Sequence, residues 1–207
     1  MTTDAAALVL LVGPPGSGKS TWAARRFPVH DLFSLDMFRR ILTGDVADQS
    51  ATREAVRMLD LVVAFRMASG LTTVVDACNT RPEHRERMIA EAREYGVPVL
   101  AVVMATPLEV CLTRNAAREV VGAEAAAAPY PGANAAPVPP DIVAKLALEA
   151  AETPPRLGEV DAVLTVGADG AAVEWDGADR LPIEVLAAPW LAGTLDAPDR
   201  PRWVELR

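Results

Sequence analysis

Short, continuously apolar runs alternate along the chain with longer stretches whose apolar residues recur every three or four positions, the βα pattern of a parallel sheet. Ala7–Val12 is apolar throughout and reads as a buried strand. A short helix over Lys19–Phe27 and a second strand over Val29–Ser34 follow it. Asp36–Leu42 and Thr52–Ala68 are expected helices; Val56, Leu59, Val63 and Met67 mark the apolar face of the longer one, and Ser69-Gly70 ends it. Leu71–Asp76 and Val97–Met104 predict two further strands. Thr80-Arg81-Pro82-Glu83 and Thr106-Pro107-Leu108-Glu109 then repeat capping-box spacing with a proline, so both threonines are expected to cap helices. The first of these helices stops at Gly96, and the second carries Cys111, Arg114 and Arg118. Asp141–Ala151 predicts another helix, Val160–Val166 a fifth strand, and Asp169-Gly170 a turn into a hairpin with Ala171–Trp175.

One segment breaks the pattern. Of the 19 residues Gly122–Pro140, 13 are alanine or proline, which leaves little to bury and predicts a flexible loop. Residues 1–166 are thus expected to form the main domain with a lid insertion over about 122–140, and residues 167–207 a C-terminal extension packed on it.

The link between the first strand and first helix carries the clearest chemistry. Gly13-Pro14-Pro15-Gly16-Ser17-Gly18-Lys19-Ser20-Thr21 fits G-x-x-x-x-G-K-[ST], the phosphate-binding loop of ATP- and GTP-using proteins. Its glycines let backbone N–H groups turn inward around phosphate oxygens, and the helix behind directs its positive end at the same anion. Lys19 supplies a charge for the β and γ phosphates, and Ser20 is placed to ligate Mg²⁺. Lysine occurs only here and at Lys145, beside 18 arginines, so a guanine-reading Asn-Lys-x-Asp element is missing and ATP is the expected nucleotide. The third strand ends Val74-Val75-Asp76-Ala77, without the glutamate that activates water in motor-type ATPases. These features point to phosphoryl transfer onto another acceptor.

Transfer to a hydroxyl calls for an acidic group facing the acceptor and cations on the migrating phosphoryl group. Asp36 follows the second strand, at the strand ends where ligands of open α/β sheets bind, and Arg39 is one turn on. Asp36 is the candidate general base and Arg39 an acceptor or phosphate clamp; the alternative is an N-cap aspartate with a helical Asp–Arg pair. Arg114 and Arg118, four apart, are expected to project from one helix face as a lid over ATP; the alternative is a solvated basic face.

Composition narrows the setting. The 207 residues are 51% hydrophobic, enough for a core without staples, and two cysteines with two histidines build neither a four-ligand zinc site of the usual kind nor a disulfide framework. A reduced, cytoplasmic protein is expected. Ala5–Val12 is preceded by Asp4 and no cation, and is too short to span a bilayer. The net charge of −8 has the wrong sign for coating nucleic acid, yet residues 1–140 carry 14 basic against 15 acidic side chains. Their arginines gather at 25–26, 39–40 and 114–118, so local cations suffice for gripping a strand end. Cys78 and Cys111 are expected to pack, His30 and His84 are assigned no chemistry, and Trp175, Trp190 and Trp203 are expected to close a small C-terminal core.

Taken together, Gly13–Thr21, Ser34-Leu35-Asp36-Met37-Phe38-Arg39, Thr73–Asn79, and Pro98–Met104 followed by Glu109–Arg118 resemble the P-loop kinase domain of bacterial polynucleotide kinase–phosphatase. The resemblance covers about residues 6–166. It implies an α/β fold with a five-stranded parallel sheet flanked by helices, an arginine-bearing lid helix, and transfer of the ATP γ-phosphate to a 5′-hydroxyl of RNA or DNA. By position it gives Lys19 and Ser20 the phosphates and Mg²⁺, Asp36 the 5′-OH, Arg39 the acceptor side, and Arg114 and Arg118 the lid. Asp76 and Asn79 match a motif near the phosphates. The insertion departs from that compact family, and residues 167–207 are too few for a phosphatase or ligase module. Wider relatives include small-molecule and zeta-toxin-like sugar-nucleotide kinases, so a metabolite, sugar or antibiotic acceptor is the alternative. A nucleotide-dependent binding module without transfer activity is a further one.

Overall fold

The computed structural model describes residues 6–121, 137–181 and 185. Most of the alanine- and proline-rich segment, together with Trp190 and Trp203, lies outside the described residues. The elements run β1 (Leu8–Val12), α1 (Lys19–Ala24), β2 (Leu32–Ser34), α2 (Leu35–Thr43), α3 (Thr52–Ala68), β3 (Thr73–Asp76) and α4 (Pro82–Glu94). They continue with β4 (Val99–Met104), α5 (Leu108–Val121), α6 (Pro140–Glu152), β5 (Ala162–Val166) and β6 (Ala172–Asp176). The sheet order is β2-β3-β1-β4-β5-β6. The five expected strands are parallel, and the hairpin adds β6 antiparallel to β5.

β1 is apolar throughout because both of its faces are covered, as parallel strands require. Val9 and Leu11 face Trp22, Ala23 and Phe27 on one side of the sheet. Leu8 and Leu10 face the other side, where α3 contributes Leu59, Val63 and Met67, and α4 contributes Met88 and Ile89. Each fully buried aliphatic or aromatic side chain contributes about 1.5–3 kcal/mol. From β1 the chain crosses to the edge strand β2, comes back to fill the gap with β3, and then continues to β4 on the other side of β1. The carboxyl end of β1 is therefore the topological switch point, where the crevice of such sheets opens.

Several local expectations give way to tertiary contacts. Val29–Asp31 forms one 3₁₀ turn, and pairing with β3 begins only at Leu32. The buried stripe of α3 is Ala55, Leu59, Val63 and Met67, a strict four-residue spacing that leaves Val56 half-buried. Neither threonine caps its helix by the expected box. Arg81 is the N-cap of α4, with Pro82 in its first turn, while Thr80 Oγ1 donates to Glu149 of α6 at 3.0 Å. Thr106 Oγ1 instead donates to the Ser17 carbonyl in the loop after β1. Trp175 does pack against the core on the Trp22 side of the sheet.

Arg85 of α4 is completely buried and fully partnered. It pairs with Glu159 and donates to the carbonyls of Asn79 and Thr153 at 2.9 and 3.2 Å. A buried guanidinium is tolerated only when paired and hydrogen-bonded. Here the pairing fixes the loop after β3, whose Asn79 has φ 46° and donates from Nδ2 to the Leu11 carbonyl at 2.9 Å. Asn79 thereby ties the end of β3 to the end of β1. Among the described residues no helix is long and apolar enough to cross a membrane.

Candidate active site

A cleft of about 1220 Å³ opens at the carboxyl ends of the strands. The loop between β1 and α1 forms its floor, and two glycines give that loop its shape. Gly16 and Gly18 have φ of 81° and 100°, values that side-chain-bearing residues rarely adopt. A methyl group on Gly16 would also lie 2.3 Å from the Cys111 carbonyl oxygen of α5. Gly16→Ala is therefore expected to weaken ATP binding at least tenfold, as calorimetry would register.

The loop fits a bound phosphate chain. Lys19 is buried, its Nζ donating to the carbonyls of Gly13 and Pro14 at 2.8 and 2.9 Å. An ammonium has three donors, so these two carbonyls do not exhaust it. Ser17 Oγ is buried without a hydrogen-bond partner, 3.0 Å from the point where a Gly13 Cβ would stand. Pro15 through Thr21 line the cleft, whereas Gly13 and Pro14 serve Lys19 through their carbonyls.

Asp36 and Arg39 enter from α2. Ser34 is the N-cap, its Oγ accepting from the Met37 N–H at 3.0 Å, so Asp36 does not cap and projects from the first turn. It pairs with Arg39, whose Nε donates to Thr52 Oγ1 at 3.1 Å. Burial pushes the Asp36 carboxyl up to about 6; Arg39, Arg118 and Lys19 pull against that rise, and Asp76 adds to it. Lys19, Asp36, Asp76 and Arg118 thus share one electrostatic neighbourhood. Arg39, buried and held by Asp36 and Thr52, orients the carboxylate more than it reaches outward.

The two arginines of α5 divide. Arg114 donates to the Ala168 carbonyl at 2.8 Å, and one of its terminal nitrogens lies 3.6 Å from the point where a Gly18 Cβ would stand. Arg118 instead faces Asp36 and Asp76; burial lowers its guanidinium, and those two acids oppose the change. Spacing predicted one common target, whereas Arg114 lies beside Gly18 of the loop and Arg118 beside the carboxylates of Asp36 and Asp76.

Several contacts of the cleft lay outside the sequence reading. Arg26 stacks on Trp22 at 4.5 Å and donates to the Gly170 carbonyl at 3.2 Å, which fastens the β5–β6 turn to the arm of the cleft away from Asp36. The four-residue spacing of Trp22 and Arg26 was the available signal. The Asp36 side of the cleft has an apolar lining from Val56, Leu59, Met88, Ile142 and Leu146, contributed by three helices whose convergence no local pattern reports. Arg87, one turn after His84, meets Asp60 there at 3.0 Å. Cys78, expected to pack, also lines the cleft, and burial pushes its thiol up.

A model of the AAA domain family matches residues 8–130, more than half of the chain. The chain belongs to that family. Its AAA domain spans β1 into the segment after α5, and so holds the phosphate loop, Asp36, Arg39 and both α5 arginines. No curated protein matches the chain in sequence. Among solved structures, one from the PezAT chromosomal toxin–antitoxin system of Streptococcus pneumoniae is 15% identical, covering 85% of this chain and 76% of that one, with a TM-score of 0.60. A candidate kinase from Chloroflexus aurantiacus is 20% identical over 92% of this chain and 99% of that one, with a TM-score of 0.58. A protein of the Pnkp1/Rnl/Hen1 RNA repair complex is 23% identical over 72% of this chain, with a TM-score of 0.58; the match spans only 45% of that protein. These likenesses are of fold. The AAA domain here has a P-loop kinase-type α/β fold, which implies nucleotide binding.

Proposed function

We propose that the protein is an ATP-dependent phosphotransferase whose acceptor is the 5′-hydroxyl end of RNA or DNA. The observation that carries this reading is the Asp36 carboxyl, set in the cleft beside the phosphate loop and poised near neutrality. The phosphates of ATP would lie on Gly16–Thr21 with Lys19, and the Ser20 hydroxyl would offer one ligand to Mg²⁺. Mg²⁺ keeps several waters and binds through substrate phosphates, so the nucleotide would supply most of its remaining ligands. Bound ATP and Mg²⁺ supply the γ-phosphoryl group and part of the neutralising charge. Asp36 takes the proton from the acceptor hydroxyl, whose oxygen bonds to the γ-phosphorus as the bond to the departing ADP oxygen breaks. Arg118 lies where charge spreads over the migrating group, and Arg114 holds the donor side. The ATP supply and two free thiols suit a cytoplasmic setting.

One observation favours a second reading, a small-molecule acceptor. The apolar lining of the acceptor arm suits a compact body, and the two arginines there, Arg39 and Arg87, are both paired with acids. The experiment that separates the readings incubates γ-labelled ATP with 5′-OH RNA, 5′-OH DNA and a metabolite pool in parallel. Label on the oligonucleotide upholds the first; label confined to a metabolite replaces it with the second.

The pH dependence tests the base. A base must be ionised to accept a proton, so kcat/KM is expected to rise with pH through about 6 and level off above it. In Asp36→Asn that acid limb should vanish from whatever residual rate remains.

A further inference from the structure

The peptide linking Ser17 to Gly18 can in principle stand either way up. A trans peptide holds its carbonyl and N–H on opposite sides, so turning it over exchanges a donor for an acceptor on the concave side of the loop. Such a flip changes ψ of Ser17 and φ of Gly18, and glycine accepts φ of either sign. Gly18 has φ 100°, and Gly16 on the near side has φ 81°. Nothing in the loop's own sequence therefore fixes which group meets an anion.

The selection comes from outside the loop. Thr106, buried in the connection between β4 and α5, donates from Oγ1 to the Ser17 carbonyl at 2.8 Å. Thr106 is itself immobilised. Its carbonyl accepts from the Cys111 thiol at 3.7 Å, and the N–H groups of Val110 and Cys111 both donate to the Pro107 carbonyl, at 3.0 and 3.1 Å. The Cys111 carbonyl in turn abuts Gly16. The first turn of α5 is thus a rigid support against which the loop is pressed at two points.

We propose that Thr106 is a positioning residue of the phosphate loop: its hydroxyl holds the Ser17 carbonyl outward and keeps the Gly18 N–H turned toward the anion. Thr106 touches no substrate and acts through Ser17. The proposal rests on the loop being the nucleotide site, and not on the identity of the acceptor.

Calorimetric titration without acceptor tests it, using wild type, Thr106→Val and Thr106→Ser with three probes: ATP, inorganic tripolyphosphate and adenosine. Valine keeps the threonine shape and removes the hydroxyl; serine keeps the hydroxyl. Thr106→Val is expected to bind ATP and tripolyphosphate about tenfold more weakly, the size of one buried hydrogen bond. Adenosine affinity should be unchanged, and Thr106→Ser should bind ATP like wild type. Amide exchange of residues 13–21 in the unliganded protein should quicken in Thr106→Val alone. Should Thr106→Val fail to fold, Thr106→Ala carries the same expectation. Unaltered ATP affinity in a folded variant lacking the hydroxyl, equal weakening in Thr106→Ser, or a loss shared by adenosine would each overturn the proposal. A wild type that bound no ATP would overturn the nucleotide reading with it, whereas a binding wild type matched by Thr106→Val would overturn this proposal alone.

Discussion

Asp36→Asn is expected to lower phosphoryl transfer by about a hundred- to ten-thousandfold, the range of a lost general base, while ATP affinity stays that of wild type. The two effects separate because of where the side chain stands. Asp36 belongs to α2, on the proposed acceptor side of the cleft, whereas the proposed phosphate contacts would come from the loop after β1. Asparagine keeps the shape, and its Oδ1 still accepts from the Arg39 guanidinium, so the orientation of α2 should survive. What disappears is the capacity to hold a proton. Single-turnover transfer and ATP calorimetry on the same preparation would check both halves. A variant that transfers phosphate at the wild-type rate would remove Asp36 from the mechanism.

Arg118→Gln is expected to lower kcat by about a hundred- to thousandfold, the cost of removing one preorganised donor from developing charge. Arg114→Gln should instead raise the KM for ATP and spare most of kcat. The reasoning is positional. Arg118 faces Asp36 and Asp76, so in the proposed mechanism its charge would lie beside the migrating phosphoryl group. Arg114 is committed to the Ala168 carbonyl and lies beside Gly18, on the donor side. Steady-state kinetics with varied ATP would show the split. Equal effects of both variants on kcat would mean that the helix acts as a single cationic face.

The layout of strands and the phosphate loop were legible because each depends on local chemistry. An apolar strand followed by Gly-x-x-x-x-Gly-Lys-Ser leaves few other ways for the chain to bury one and turn through the other. The Thr80 and Thr106 readings failed because a threonine hydroxyl bonds the nearest acceptor in three dimensions. For Thr80 that was Glu149, and for Thr106 the Ser17 carbonyl, both brought close only by the sheet. Periodicity placed Arg114 and Arg118 on one helix but could not show that the loop passes beneath one arginine and the carboxylates beneath the other. The Arg85–Glu159 pair lay beyond reach for the same reason, since its partners are far apart in sequence and meet only once α4 packs beneath the α6–β5 connection.

Asn115 of α5 is buried between the α5 and α6 segments it joins. Its buried side-chain amide grips the backbone of Val138 in both directions, Nδ2 donating to the carbonyl at 2.7 Å and Oδ1 accepting from the N–H at 3.0 Å. Val138 is therefore bolted to the middle of α5, two residues before α6 begins. Whatever length of sequence lies between, the geometry of the two helices is set at that bolt. Loop-closure cost grows only slowly with length, about 0.6 kcal/mol per doubling. The interval between α5 and α6 is thus a natural splice point, where evolution or an engineer can insert or delete residues while the machinery of the cleft keeps its alignment.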